Sequence, residues 1–334
     1  MKLQFYPYTY VRTIVMKTKL LQKDDYDTLL KMGNEEMINY LQSKGYHEFA
    51  AASNAYKGIA LVEHAVKAHM VAAFEKLRRV SGDDLRQVID MYLLRYDLRN
   101  LKTIIRGIMF KQPVKDLIVP AGTLPRSFYE EMLTKELADA LAMLRNTPFA
   151  DIRHYPKKDS LFHLETKLDQ LYYGLLFDFV QKLGNQSVLF KQFVMEEITM
   201  RNIITILKLL KDDHKADMQT VLLPYNGNRL IKKLSAASSL TEAIKQLEKS
   251  AYGKHIEQGI ASLKATTSLV DMETDLRKLL LKKLKRQTHQ NLLSVDVILD
   301  FLFEMDLEVK NILLIFKART FGLDEQFVKE NMII

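Results

Sequence analysis

The sequence predicts an all-α protein, and three observations support this fold class. Glycine and proline are scarce, with 12 and 7 among 334 residues, against average usage of about 7% and 5%. Apolar residues recur at the i, i+3, i+4 and i+7 spacing of amphipathic helices through most of the chain, while the alternating runs typical of strands are few. We therefore expect helices almost throughout the chain.

Clusters of turn-forming residues divide this helical pattern. We expect helix breaks where glycine, proline, asparagine and aspartate gather, because these residues end or start helices. The predicted breaks are residues 31–36, 81–84, 111–125, 145–149, 154–160, 223–228 and 251–255. No low-complexity linker separates the segments, so the sequence predicts short connections between packed helices.

Composition limits the class of protein further. Cysteine is absent, which excludes disulfides and thiolate metal sites. The longest apolar runs, such as residues 297–303 and 311–316, are far shorter than the ~20 apolar residues needed to cross a bilayer. The N-terminus has scattered charge and lacks the apolar core of a secretory signal. We expect a chain that stays in the cytoplasm and does not span a membrane.

The charge balance allows an anionic partner. Lysine and arginine number 49 against 41 aspartates and glutamates, a net charge of +8, which suits nucleic acid, an acidic protein face or a lipid surface. The densest basic segment is 277–286, where cations alternate with leucines at helical spacing. A solvated helix face would also explain it. The candidate partner-interface residues are Lys278, Lys282, Lys283, Lys285 and Arg286.

An internal repeat organises the chain. One pattern (polar, apolar, basic, Asn, apolar, two variable residues, Ile, apolar, basic) occurs at 97–106, 199–208 and 308–317. Its asparagines are Asn100, Asn202 and Asn311. Such self-similarity about a hundred residues apart is the signature of one supersecondary unit used several times. We predict that these asparagines take equivalent places in three helical bundles, capping or bridging helices.

A second landmark keeps the same phase. A glutamate followed by an apolar residue three positions on precedes each asparagine by 37, 37 and 38 residues. These glutamates are Glu63, Glu165 and Glu273. Turn markers at 119–124 and 223–228 precede two of the copies, and segment 12–25 resembles 201–213 as a degenerate extra helix. The predicted domains are 1–112 (repeat 1 with the extra helix), 113–215 (repeat 2) and 216–334 (repeat 3).

Motifs of catalysis are absent from the sequence. We find no GxxxxGK[ST], GxGxxG or GxSxG pattern, so the glycine-based phosphate loops and nucleophile turns are missing. His64 and His69 are five residues apart, which does not place both on one helix face as HExxH requires. We therefore predict no catalytic residue, no bound cofactor and no metal.

These patterns resemble a known family. The N-terminal segment 6–30, the glutamate and asparagine landmarks and the C-terminal segment 308–333 are similar to the C subunit of the archaeal and bacterial A/V-type ATPase or ATP synthase, the counterpart of the d subunit of the eukaryotic vacuolar enzyme. The resemblance covers essentially the whole chain. It implies a funnel of three similar bundles around a pseudo-threefold axis, whereas copy number alone leaves an open solenoid possible.

The resemblance also implies a role. It implies a non-catalytic central-stalk adaptor, peripheral on the cytoplasmic face of the cell membrane. Its partners would be the proteolipid rotor ring (the c/K proteolipid) and the D and F subunits of the central shaft, and it would be a monomer within that complex. It would transmit torque coupled to proton or sodium transport, without binding nucleic acid. The alternative hypothesis is a helical-repeat scaffold that binds nucleic acid or an acidic protein.

Overall fold

The computed structural model describes residues 6–154, 161–184, 187–213, 218–225, 227–288 and 295–333, without the side chains of 153–154 and 284–288. This part of the chain contains helices and no strand, which confirms the all-α prediction. The α-helices in chain order are α1 (Pro7–Lys17), α2 (Lys23–Leu29), α3 (Asn34–Ser43), α4 (Glu48–Ala52), α5 (Gly58–Arg79), α6 (Asp83–Phe110), α7 (Arg126–Met132), α8 (Leu137–Ala142), α9 (Leu161–Leu183), α10 (Val188–Lys211), α11 (Met218–Val221), α12 (Arg229–Ala236), α13 (Leu240–Glu248), α14 (Glu257–Thr266), α15 (Val270–Thr288), α16 (Asp296–Phe321) and α17 (Glu325–Asn331).

The predicted breaks between helices agree with these bounds. Residues 81–84 contain the start of α6, 111–125 lie between α6 and α7, and 223–228 precede α12. Most of the predicted break at 154–160 lies outside the described residues. No helix within the described ranges is long and apolar enough to cross a lipid bilayer.

The chain divides into two compact units, Met1–Leu93 with Thr288–Ile334, and Leu94–Gln287. This division follows spatial contacts, whereas the predicted domains follow sequence similarity. The three-repeat division therefore stays a prediction.

Helix α16 is the centre of the first unit. It packs against α5, α1 and α3, and nearly every residue from Asp296 to Val309 is buried. A helix buried on nearly all sides belongs to the inside of a core, and its buried acids, such as Glu308, are hydrogen-bonded there. Tyr92 meets Phe303 edge to face with ring centroids 5.0 Å apart. Gly322 ends α16 in the left-handed conformation, with φ 68°, which glycine adopts without the Cβ clash.

Helix α10 has the same position in the second unit. It packs against α9, α12 and α13, and its buried side chains include Phe193, Ile198, Ile203 and Ile206. Its start is capped by Ser187, whose side chain accepts a hydrogen bond from the backbone N–H of Phe190, satisfying one of the free amides at a helix N-terminus. Each unit thus has a long helix that is largely buried and carries polar landmark residues.

Candidate functional site

The three landmark asparagines make the same pair of hydrogen bonds. In each case the side-chain nitrogen donates to a backbone carbonyl and the side-chain oxygen accepts from the N–H of the same residue. Asn100 pairs in this way with Val119 at 2.8 and 3.0 Å, Asn202 with Leu223 at 3.1 and 2.9 Å, and Asn311 with Ile333 at 2.9 and 3.2 Å. We call each of these an asparagine clasp.

Burial gives the clasps their importance. All three asparagines are at most 4% exposed, and they project from α6, α10 and α16. The paired residues lie outside the helices, where backbone groups lack helical partners. A side-chain amide supplies one donor and one acceptor, so it satisfies both backbone groups at once. Val119 and Leu223 are the first residues of the two turn markers.

The position three residues before each asparagine holds a second connection. Asp97 accepts hydrogen bonds from the Thr123 N–H at 2.7 Å, the Thr123 hydroxyl at 2.8 Å and the Leu124 N–H at 3.1 Å, and also from the Tyr129 hydroxyl. The backbone passes so near that a Cβ added at Gly122 would lie 2.0 Å from Asp97 Oδ1. Glycine is therefore required at this turn.

In the other two copies the corresponding position holds a different residue, which also accepts hydrogen bonds from another segment. The Thr199 hydroxyl accepts from Asn228 Nδ2 at 3.2 Å, and Asn228 in turn caps α12. Glu308 accepts from the backbone N–H of Leu21 and from the Tyr46 hydroxyl. In the first unit, α16 therefore holds segments near both ends of the chain, with Asn311 on Ile333 and Glu308 on residues 21 and 46.

Burial changes the protonation of these acids. It raises the pKa of Glu308 to about 7, with the hydrogen bonds from Tyr46 and Leu21 opposing it and the carboxylates Asp25 and Glu304 adding to it. Burial also raises the pKa of Asp97, against the hydrogen bonds from Tyr129, Thr123 and Leu124. Both shifts follow from the cost of holding a charge away from water.

Two of the glutamate landmarks pair with the basic residue that ends the asparagine pattern. Glu165 makes a bidentate ion pair with Arg106, whose Nε and Nη2 lie 2.5 and 2.7 Å from the two carboxylate oxygens. Glu63 pairs with Lys317, with 2.5 Å between Oε1 and Nζ. The third landmark, Glu273, is exposed, as is Lys208, and no ion pair joins those two residues in the described structure. Instead the Lys208 ammonium lies 5.8 Å from the ring centroid of Phe162.

A further ion pair within the second unit is well shielded from water. Arg95 lies 3.2 Å from Glu197, and the Tyr173 hydroxyl donates to the other carboxylate oxygen at 2.9 Å. Burial raises the pKa of Glu197, but the nearby Arg95 and Arg201 cations and the Tyr173 hydrogen bond outweigh it, so that the net shift is downward. Glu197 thus stays charged and links α10 to α6 and α9.

The basic helix predicted as a partner interface is α15. Lys282 is exposed and Lys278 half-buried, whereas the side chains of Lys285 and Arg286 lie outside the described residues. Lys283 bonds Glu196 at 2.8 Å and lies 4.9 Å from the centroid of the Tyr252 ring. Lys283 is therefore engaged within the second unit, and among the described side chains of this helix the exposed cations are Arg277 and Lys282.

No chemistry of catalysis emerges from the described residues. Within those ranges no group of three His, Asp or Glu side chains is placed to hold a metal ion. The two carboxyl groups whose pKa is raised, those of Asp97 and Glu308, are buried and bonded to neighbouring segments, so they are not open to a substrate. The arrangement can hold segments of the chain together rigidly.

Sequence reasoning missed part of this arrangement. The repeat pattern requires only a polar residue three positions before each asparagine, since Asp97 becomes Thr199 and Glu308 in the other copies. In the structure all three side chains bond the segment beside their helix. The available signal was that each of the three residues can accept a hydrogen bond.

Comparison with known proteins identifies the class to which this fold and these polar connections belong. The model of the ATP synthase (C/AC39) subunit family matches residues 10–331, and the chain belongs to that family. It is thus a non-catalytic subunit of a hetero-oligomeric A/V-type ATP synthase, involved in ATP synthesis and ion transport.

Individual relatives agree over almost their full length. The chain is 28% identical to the A-type ATP synthase C subunit of Methanosarcina acetivorans, with 98% of this chain and 93% of the relative aligned. It is 29% identical to the corresponding protein of Methanococcoides burtonii, covering 98% and 94%. For that of Archaeoglobus fulgidus the identity is 28%, covering 98% and 96%. The resemblance noted in the sequence is confirmed.

Proposed function

We propose that this subunit is the central-stalk adaptor that joins the proteolipid rotor ring (the c/K proteolipid) to the D and F subunits of the shaft. It sits on the cytoplasmic face of the membrane without entering the bilayer and passes torque between the two partners. The observation that carries this proposal is membership of the ATP synthase (C/AC39) subunit family over residues 10–331, combined with a body cross-connected by buried polar bonds.

Stiffness is the first requirement of such an adaptor. Torque is lost if helices slide or neighbouring segments swing, so each long helix must be fixed to the segments around it. The three asparagine clasps fix α6, α10 and α16 to non-helical backbone, and the Arg95–Glu197 pair fixes α10 to α6. Buried hydrogen bonds resist sliding because any displacement leaves polar groups without partners.

The second observation that supports the adaptor role is the repetition of these connections along the chain. The clasps and the two landmark ion pairs recur at the positions where the sequence repeats itself. We infer three repeats built on α6, α10 and α16 and arranged around a pseudo-threefold axis. In this arrangement, each long helix holds the segment that follows it, and the last helix holds the first segment through Glu308.

Surfaces for protein partners are the third requirement. Exposed large apolar side chains are grouped in three segments: on α1, from the end of α6 to residue 117, and from the end of α16 into α17. The most exposed are Tyr8 and Val11, Phe110 and Leu117, and Phe321 and Leu323, each between 48% and 69% accessible. Grouped exposed apolar residues on a folded protein indicate interaction sites. We assign the contacts with ring and shaft to these segments.

Recovery of partners from native membranes tests the proposal. An affinity-tagged chain is expressed in its own host, membranes are solubilised in mild detergent, and bound proteins are identified by mass spectrometry. We expect the proteolipid and the shaft proteins in the bound fraction. Recovery of cytosolic nucleoprotein without either partner would contradict the adaptor role and favour the nucleic-acid scaffold.

A further inference from the structure

Nearly all of the net positive charge of the chain lies in one of three corresponding segments. Residues 229–288, from the start of α12 to the end of α15, contain 13 lysines and arginines against 6 aspartates and glutamates, a net charge of +7. The corresponding stretch from α2 to α5, residues 23–79, has 8 of each, and the stretch from α7 to α9, residues 126–183, has 8 against 9. The charge therefore does not follow from the repeated architecture.

Most of the described cations of this basic bundle, as we call residues 229–288, face water, although Lys264 pairs with Glu248 and Lys283 with Glu196. On α12, Arg229, Lys232 and Lys233 are exposed at i, i+3 and i+4, which places them on one face, while Ile231 and Leu234 are buried. Lys245 and Lys249, four residues apart, are exposed at the end of α13, and Lys282 is exposed on α15. None of these six makes an ion pair with another described residue.

The other two stretches differ in their balance of charge. Residues 23–79 have as many acids as bases, and residues 126–183 have one more acid than bases. Within these stretches Lys44 pairs with Asp25 at 2.7 Å and Arg126 with Glu130 at 3.1 Å. A group of lysines without balancing acids raises the local potential and attracts anions over roughly the ~8–10 Å Debye length of physiological salt.

The surface lacks the features of a protein interface. Interface cores are rich in aromatic side chains and poor in lysine, yet among described residues between 229 and 283 the only large apolar side chain that is mostly exposed is Val270. The aromatic ring of Tyr252 is occupied by Lys283, and its hydroxyl donates to Glu196 at 2.7 Å. No aromatic platform for stacking nucleic-acid bases is therefore available in that range.

From these observations we propose that the basic bundle is an electrostatic contact with the anionic lipid headgroups of the membrane surface. Dispersed, solvated lysines are suited to a diffuse anionic plane, where each cation near the surface adds independently to the attraction. The inference rests on the proposed function, which places the subunit against a membrane ring. It assigns the apolar segments to protein partners and the basic bundle to lipid.

Vesicle binding tests this assignment directly. The purified full-length chain is mixed with vesicles of phosphatidylcholine, with and without phosphatidylglycerol, and bound protein is measured by flotation at low and high salt. One variant combines Lys232→Glu, Lys245→Glu and Lys282→Glu. The matched control combines Lys57→Glu, Lys76→Glu and Lys135→Glu, which are also exposed, change the net charge equally and lie outside the basic bundle. Thermal unfolding verifies that both variants are folded.

We expect the wild-type chain to bind phosphatidylglycerol vesicles at low salt and to dissociate at high salt, with little binding to phosphatidylcholine. The basic-bundle variant should bind on the order of a hundredfold more weakly, and the control variant should lose far less. Equal binding of the two variants, or no binding by the wild-type chain, would overturn the proposal. Tighter binding to duplex DNA than to the vesicles would overturn it in favour of a nucleic-acid surface.

Partner recovery separates this inference from the adaptor role. Both variants are also used in the membrane pull-down, where we expect each to retain the ring and the shaft. If the basic-bundle variant binds vesicles normally but loses those partners, the basic bundle is a protein interface and the lipid proposal is wrong. If vesicle binding fails while ring and shaft are recovered, the lipid proposal fails and the adaptor role stands.

Discussion

Single asparagines connect the sequence repeat to the structure. Asn100, Asn202 and Asn311 stand out in the sequence because helical interiors seldom favour asparagine, and here it recurs in phase with apolar neighbours. Their partners were not predictable in all cases. Val119 and Leu223 belong to recognisable turn markers, whereas Ile333 lies at the far end of the chain and has no such marker. Sequence thus locates the clasping residue, and the tertiary structure is needed to locate what it holds.

Removal of one clasp should destabilise the protein strongly. Asn202→Ala leaves the N–H and C=O of Leu223 without partners at a site where the asparagine is fully buried. We expect a loss of about 2–4 kcal/mol in the free energy of unfolding, because each unsatisfied buried group costs roughly 1–3 kcal/mol. Urea unfolding followed by circular dichroism measures the change.

The half-buried Asn331 provides the control. Its side chain bonds the Phe327 carbonyl at 2.8 Å at the surface, so that Asn331→Ala should change stability by less than about 0.5 kcal/mol. If Asn202→Ala is no more destabilising than Asn331→Ala, the clasp has no structural importance.

The buried carboxyl group of Glu308 should make the stability of the folded chain depend on pH. Its pKa is about 7 in the folded chain against an ordinary value of 4.5, so that the folded state binds the proton more tightly. The stabilisation that tighter proton binding at Glu308 gives the folded state is complete below pH 4.5, and it is lost as the pH rises through 7. The free energy of unfolding should fall by about 3 kcal/mol over that interval from this residue alone. Glu308→Gln should remove this part of the slope.

The matched variant for this experiment is Glu330→Gln. Glu330 is exposed on α17 and accepts only a surface hydrogen bond, from Gln326 at 2.8 Å. Its replacement should leave the decline in stability between pH 5 and pH 8 unchanged. An identical slope for the wild-type chain and Glu308→Gln would show that Glu308 titrates as an exposed carboxyl does.

At the scale of elements, α6, α10 and α16 organise the structure. Their apolar periodicity made them predictable as helices, and low glycine and proline content predicted their length. The contacts of these helices with distant segments were harder to predict from the sequence. The Leu21–Glu308 and Tyr46–Glu308 bonds join residues more than 260 positions apart, and no local pattern encodes such a distance. The short helices α4 and α11 also lack a clear signal, because four or five residues do not establish a period.

The end of α16 and the start of α17 should contact a protein partner. Phe321 is 69% exposed and Phe327 45% exposed, and replacing both by aspartate should disrupt an apolar contact with little effect on folding. We expect Phe321→Asp with Phe327→Asp to reduce recovery of the ring or the shaft at least tenfold, since two lost apolar anchors amount to about 2 kcal/mol or more. Quantitative mass spectrometry of the pull-down gives the measurement.

A comparison pair controls for apolar exposure in general. Leu175→Asp with Val188→Asp changes side chains that are 37% and 44% exposed but lie outside the three apolar segments. This variant should recover partners as the wild-type chain does. Equal loss in both double variants would indicate general destabilisation, and no loss in either would remove the end of α16 from the interface.

At the scale of the whole molecule, the polar landmark residues connect segments of the same chain. Buried acids are bonded to backbone and hydroxyl groups of adjacent segments, as with Asp97, or paired with arginine, as with Glu197. Fold class, family and the absence of recognised catalytic motifs were accessible from sequence. The concentration of positive charge in residues 229–288 was also present there, but its meaning needed the burial and ion pairs that the structure supplies.

Reconstitution of ion transport tests the adaptor role most directly. Membranes that carry the synthase are stripped of their endogenous copy of this protein, and the purified chain is added back before ATP-driven ion uptake into the vesicles is measured alongside ATP hydrolysis. We predict that the stripped membranes do not transport ions and that the chain restores uptake. If the chain binds the complex yet ions remain untransported while ATP is hydrolysed, it does not transmit torque, and the central claim is contradicted.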